Sequence, residues 1–277
     1  MSAPSAIARV FDRLRREGRP GLVTYVTAGD PDPERCAGIL RALDRAGADV
    51  LEIGVPFSDP MADGPVIQRA TERALAGGMT LTRVLDLVEQ VRPEVSAPLV
   101  LFSYVNPVLR MGLHAFARRA RAAGVDGVLL LDLPIEEAGD LHDTFTANGL
   151  DTIFLLSPTT TAERMRRAAA LGRGFLYGIS RLGVTGAREA VSSDARALVE
   201  RIRAETDLPV ALGFGISRPE HVADVGRWAD AAVVGSALVS VIAEHGRRET
   251  LEPAVEGFVR WLKGAAPTPT PAVAHQA

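Results

Sequence analysis

One cysteine and one lysine are all that this 277-residue chain holds of either type. A lone thiol excludes an intrachain disulfide framework. Cys36 falls in a helical pattern and is expected to be a small packing residue. Lys263 stands near the C-terminal end, so the body of the chain offers no amine for imine chemistry. No apolar run reaches membrane-spanning length and no apolar leader opens the chain, so no membrane contact and a cytoplasmic location are expected. Net charge is only -3, and the arginines scatter along helical faces, as at Arg118, Arg119 and Arg121. Nothing in that balance calls for nucleic acid. His114, His142, His221, His245 and His275 show no metal-ligand spacing, and no metal or other cofactor is expected.

What the chain does have is repetition. Eight short apolar runs, at 22–27, 50–54, 98–102, 127–131, 151–155, 175–179, 210–213 and 231–234, read as strands covered on both faces. Helical patterns lie between them, near 33–46, 81–92, 114–123, 136–147, 161–171, 194–206 and 218–226, and another follows the last run. Gly47, Gly124, Gly149 and Gly172 fall just past helices, where a left-handed residue is wanted. Eight β/α units in roughly 250 residues predict an α/β fold, a single (β/α)8 TIM barrel over 1–264. A doubly wound open sheet is the alternative, but its first turn would carry a dinucleotide fingerprint. The turn here is Thr27-Ala28-Gly29-Asp30-Pro31, which is not one. An extra N-terminal helix over 7–17 puts Ile7, Val10, Phe11 and Leu14 on one face and is expected to plug the barrel. A last helix is expected over 251–262, and the Pro- and Thr-rich stretch 265–277 reads as a disordered tail.

The segment 51–68 is the most informative part. It begins as an apolar strand with Glu52 near its C-terminal end, then breaks into a loop bearing Asp59 and Asp63. A carboxylate in an apolar strand is costly to bury unless paired or protonated. The C-terminal strand ends are where such barrels place their chemistry. Two acids in different surroundings can divide acid and base roles. Asp before Gly or Pro equally serves a turn, so spacing alone leaves both readings open. Three later loops carry glycines: Gly183 and Gly186 after the sixth run, Gly213 and Gly215 after the seventh, Gly235 before Ser236 after the eighth. Backbone N–H groups there, and a helix start at Gly235-Ser236, suit a phosphate, although each glycine alone can simply make a turn.

The segment 51–68, and the loop Ser180-Arg181-Leu182-Gly183-Val184-Thr185-Gly186, resemble the tryptophan synthase α subunit family. Further matches at Tyr104-Val105-Asn106-Pro107, Asp132-Leu133-Pro134 and 157–161 extend the resemblance over about 7–262. It implies retro-aldol cleavage of indole-3-glycerol phosphate to indole and glyceraldehyde 3-phosphate, with indole passed to a PLP-dependent β subunit in an α2β2 heterotetramer. By that match Glu52 and Asp63 are the catalytic acids, and Gly186, Gly215, Gly235 and Ser236 hold phosphate. Tyr177, Thr185, Phe214, Leu22, Ile67, Phe102 and Leu129 are expected to contact substrate. Pro56, Asp59 and Asn106 are expected at the β interface. The chain departs from the family's usual residues at Leu22, Leu131 and Phe102-Ser103-Tyr104. A stand-alone lyase releasing free indole, a non-catalytic phosphate-binding barrel and another phosphate-binding barrel enzyme are the competing readings; an indole-glycerol-phosphate synthase would need a lysine that this barrel lacks.

Overall fold

In the computed structural model, which describes residues 4–179, 193–213 and 215–264, the apolar runs form parallel strands. They are β1 (Gly21–Thr27), β2 (Val50–Gly54), β3 (Leu99–Ser103), β4 (Gly127–Leu130), β5 (Asp151–Ile153), β6 (Leu155–Leu156), β7 (Leu176–Ile179), β8 (Val210–Gly213) and β9 (Ala231–Val234). The sheet order is β5-β4-β3-β2-β1-β9-β8-β7-β6. β5 and β6 are successive pieces of one stretch, so the two ends of that order meet at Phe154 and the sheet closes. The chain therefore has the eight staves of a (β/α)8 barrel, one of them interrupted. The interruption is a change of neighbour. β5 pairs with β4 up to Ile153, whereas Leu155 pairs with Tyr177 of β7. Barrel strands are staggered, so a strand can bond one neighbour early and the other late.

Successive side chains point alternately into the barrel and outward. Val23, Val50, Val100, Leu129, Ile153, Phe175, Tyr177, Ala211, Ala231 and Val233 fill the interior. Ile7, Phe11 and Leu14 of the helix Ala6–Glu17 belong to the same cluster, with Val10 packed against it. That helix is the expected plug. Phe11 meets Phe175 with ring centroids 5.5 Å apart. The outward rows, such as Leu51, Ile53 and Leu101, pack on helix residues such as Ile39, Leu40 and Leu43. Cys36 lies in that layer, fully buried, and burial pushes its thiol up to about 12, as suits a packing residue.

Two helices were not foreseen in the sequence. Pro65–Ala76 begins inside the segment read as a long loop, and Val105–Met111 follows β3 directly. Pro65 occupies the first turn, where its missing N–H costs nothing. Its position shortens the loop that carries Asp63 to residues 55–64. Gly47, Gly124 and Gly149 are left-handed as expected. Gly172 is not: it is extended, at φ -70° and ψ 148°, and the left-handed residue before β7 is Gly174. Among the described residues no helix is long and apolar enough to cross a membrane. The stretch 265–277 lies outside the described residues.

Candidate active site

Glu52 is the third residue of β2 and pairs in register with Tyr25 of β1 and Val100 of β3. It is fully buried, and neither carboxylate oxygen has a hydrogen-bond partner among the described residues. Desolvation is the whole cause of its shift, which raises its pKa to about 8. At neutral pH Glu52 is therefore a carboxylic acid. Tyr25 and Tyr177 stand close enough for its charge to raise both phenols, after their own burial.

The two tyrosines depend on two glycines. A Cβ on Gly54 would lie 2.2 Å from the Tyr25 hydroxyl oxygen, and one on Gly213 would lie 2.6 Å from that of Tyr177. Any other residue at the ends of β2 and β8 would displace these rings. Phe102 bridges them, its ring centroid 5.1 Å from Tyr25 and 6.5 Å from Tyr177. The Tyr25 hydroxyl reaches Thr27 Oγ1 at 3.4 Å.

Asp63 sits just before the helix Pro65–Ala76, whose N-cap is Gly64. It is only 9% exposed, and burial raises its pKa to about 6 against the lowering effect of a hydrogen bond from Tyr104 Oη, 3.4 Å from Asp63 Oδ2. The Asp63 N–H donates to Pro60 O, and its own carbonyl accepts from Gln68 Nε2. The helix is tied back to the loop after β1 by Arg73, which donates to Asp30 Oδ1 at 2.7 Å and Oδ2 at 3.1 Å. The arrangement is a buried neutral acid and a second, more acidic carboxyl at one end of an apolar barrel. Both carboxyls act on the Tyr25 phenol, so a group that delivers one proton and one that accepts one hydrogen bond flank the same ring.

The other expected residues divide. Ile67 packs with Tyr25, Ala70 and Val239, and Leu129 is buried inside the barrel. Leu22 requires correction. It lies one residue off the inward row of β1, in the layer between barrel and helices, so it does not face the chamber. The inward residue is Tyr25, and period-two alternation from Glu52's partner strand would have found it. Tyr104 was expected only as one of the positions lining or flanking the indole pocket; its bond to Asp63 was not foreseen, and no spacing signal marks it. Gly215 is left-handed at φ 46°, and Gly235 precedes the helix Ser236–His245 without a side-chain cap. The first N–H groups of that helix have no partner within it and suit an anion. Thr185, Gly186 and Phe214 lie outside the described residues. Pro56 is buried, whereas Asp59 and Asn106 are exposed. Met61 and Leu109, close to these two in sequence, are exposed large apolar residues. Among the described residues no cluster of three or more His, Cys, Asp or Glu could hold a metal ion.

Residues 11–265 match the family model of the tryptophan synthase alpha chain. The chain belongs to that family. It is 51% identical over 257 residues to the tryptophan synthase alpha chain of Solibacter usitatus, covering 93% of this chain and 96% of the relative. It is 50% identical over 261 residues to that of Geobacter sulfurreducens, covering 94% and 98%. The fold matches tryptophan synthase subunit alpha from Legionella pneumophila with a TM-score of 0.88 at 39% identity, over 95% of this chain and 98% of that one. A chain of Mycobacterium tuberculosis tryptophan synthase gives 0.88 at 38% identity, with the same coverage. A tryptophan synthase alpha chain is a carbon–carbon lyase. Asp63 and Gly235 follow the C-terminal ends of β2 and β9.

Proposed function

We propose that this chain cleaves indole-3-glycerol phosphate to indole and glyceraldehyde 3-phosphate, with Glu52 as the proton-transfer group and Asp63 as the partner of the indole N–H. The observation that carries the assignment is the contrast between the two buried acids: Glu52 is fully buried with no partner for either oxygen, whereas the Asp63 carboxylate accepts from Tyr104 Oη. Burial raises both, and more for Glu52, the direction that separates an acid from a carboxylate.

Indole is a poor leaving group as a carbanion. Protonation of ring carbon C3 by Glu52 makes an indolenium cation that can accept an electron pair. Asp63, as carboxylate, accepts the N–H and stabilises the positive charge. The Glu52 carboxylate then takes the proton from the side-chain hydroxyl. The C–C bond between C3 and that carbinol carbon breaks, its electrons restore the indole ring, and the carbinol carbon becomes the aldehyde. Each acid–base role contributes on the order of 10²–10⁴-fold. The N–H groups at Gly235 and Ser236, with Gly215 and Gly186, would hold the phosphate, and Ile67, Phe102, Leu129, Tyr25 and Tyr177 would line the indole end. Exposed Asp59, Asn106, Met61 and Leu109 support the partnered reading, in which indole passes to a β subunit in an α2β2 assembly in the cytoplasm.

The test is indole release from indole-3-glycerol phosphate by the parent protein and by Glu52→Gln and Asp63→Asn variants. Each variant is expected to lose roughly 10²-fold or more. Parent-like cleavage by both would remove the assignment. Adding a β subunit separates partnered from stand-alone action: large stimulation supports the first, and full activity without it the second.

A further inference from the structure

We infer that Tyr104 is a positioning residue for Asp63: its hydroxyl, held between Phe57, Ala62 and the end of β3, donates a hydrogen bond that orients the Asp63 carboxylate. The inference rests on the reading of Asp63 as the group that meets the indole N–H. The direction of the bond follows from the other partner of the same oxygen. The Ala62 N–H donates to Tyr104 Oη at 3.1 Å, which occupies a lone pair and leaves the phenolic proton for Asp63 Oδ2 at 3.4 Å. That separation is long for O–H···O, as catalytic hydrogen bonds often are before substrate is bound.

The donor is held from every side. Tyr104 is 4% exposed. Its ring lies 5.0 Å from that of Phe57, in the loop that leads to Asp63. Its backbone carbonyl accepts from Ser103 Oγ, and the next N–H, of Val105, donates to Asp132 Oδ1 at 2.7 Å. Among the described residues Tyr104 is the one side chain that donates to the Asp63 carboxylate, and no cation pairs with it. The titratable groups that face the pair are Tyr25 from β1, whose phenol is raised by Asp63, and Asp132 behind Tyr104; Glu52 lies beside Tyr25 on β2. None supplies a positive charge. Tyr104 thus opposes the desolvation of Asp63 and keeps one oxygen engaged while the other remains for substrate.

The deciding measurement is a ¹³C carboxyl titration of Asp63 in the ligand-free protein, parent against Tyr104→Phe. The midpoint is expected to rise by about half to one pH unit when the donor is lost. An unmoved or lowered midpoint overturns the inference. In catalysis, Tyr104→Phe is expected to lower kcat/KM about three- to tenfold and to move the acidic limb of its pH profile upward. In an Asp63→Asn background the same change is expected to cost nothing further; an equal cost there means that Tyr104 does not act through Asp63. Should Tyr104→Phe not fold, Phe57→Leu removes only the ring that Tyr104 stacks on, and a smaller rise is expected; no rise counts against the inference. A parent protein that does not cleave substrate would sink the functional reading, while the carboxyl titration still decides the hydrogen bond.

Discussion

Replacing Glu52 by Gln should stabilise this protein, and by an amount that grows with pH. Glu52 is fully buried with no partner for either oxygen, and its pKa rises from an ordinary 4.5 to about 8. The unfolded chain ionises Glu52 near 4.5, so between there and about 8 the folded state holds a proton that the unfolded state has released. Where the folded state binds more protons, stability falls as pH rises. The favourable condition is therefore fully present below 4.5 and is lost progressively up to about 8. Each pH unit inside that window costs about 1.4 kcal/mol, which gives about 3 kcal/mol at pH 7 and about 5 kcal/mol at pH 9. Gln has nearly the same shape and cannot ionise, so it resembles the protonated acid. All other titrating groups are common to both proteins and cancel in the difference. Thermal unfolding of parent and Glu52→Gln at pH 5, 7 and 9 is the assay. For a domain of about 260 residues, about 3 kcal/mol corresponds to a gain of roughly 5–6 °C at pH 7. At pH 5, half a unit inside the window, the gain should shrink to about 0.8 kcal/mol, and it should vanish only below pH 4.5. A difference independent of pH, or one that shrinks toward pH 9, would refute the account of Glu52 as a buried acid without a partner.

Two further perturbations test the scaffold and the chamber. Phe11→Ala removes the plug residue that stacks on Phe175, and a large-to-small change in such a core should cost about 3–5 kcal/mol, read as a lowered denaturation midpoint with the strands otherwise intact. Gly54→Ala places a methyl group where the Tyr25 hydroxyl lies, so Tyr25 must move. Cleavage should fall by about 10²-fold, as a displacement near 1 Å in a site can cause, while far-UV circular dichroism stays unchanged; activity within twofold of the parent would mean that Tyr25 does not shape the site.

The barrel was legible because its signal is repetitive. Eight apolar runs, each followed by an amphipathic stretch, leave few other architectures, and the plug face Ile7, Phe11 and Leu14 could be read from helical spacing alone. Glu52 was legible for the opposite reason: a charge in an apolar strand breaks the pattern. The helix Pro65–Ala76 was hidden by the glycines and prolines ahead of it, although Pro65 is itself a first-turn residue. Leu22 stands three positions from Tyr25, an odd step that puts it on the opposite face of β1. A one-residue shift in a strand turns a side chain to the other face, so motif likeness without register put an outer-layer residue in the chamber. Tyr104 could not be found from spacing, because its role depends on a loop folding back so that Ala62 and Asp63 meet the end of β3.

The two carboxyls owe their separate roles to what surrounds each of them. Both are desolvated, and desolvation alone would raise both. Asp63 is held back by a donor, Tyr104, whereas Glu52 has none. The phenols of Tyr25 and Tyr177 stand near Glu52 without bonding it, so they bury the carboxyl without compensating it. A donor aimed at Glu52 would lower its pKa toward that of Asp63 and weaken the neutral acid that the proposed cleavage uses. The unpartnered oxygens favour the protonated form of Glu52, at a cost in stability that the pH series on Glu52→Gln measures directly.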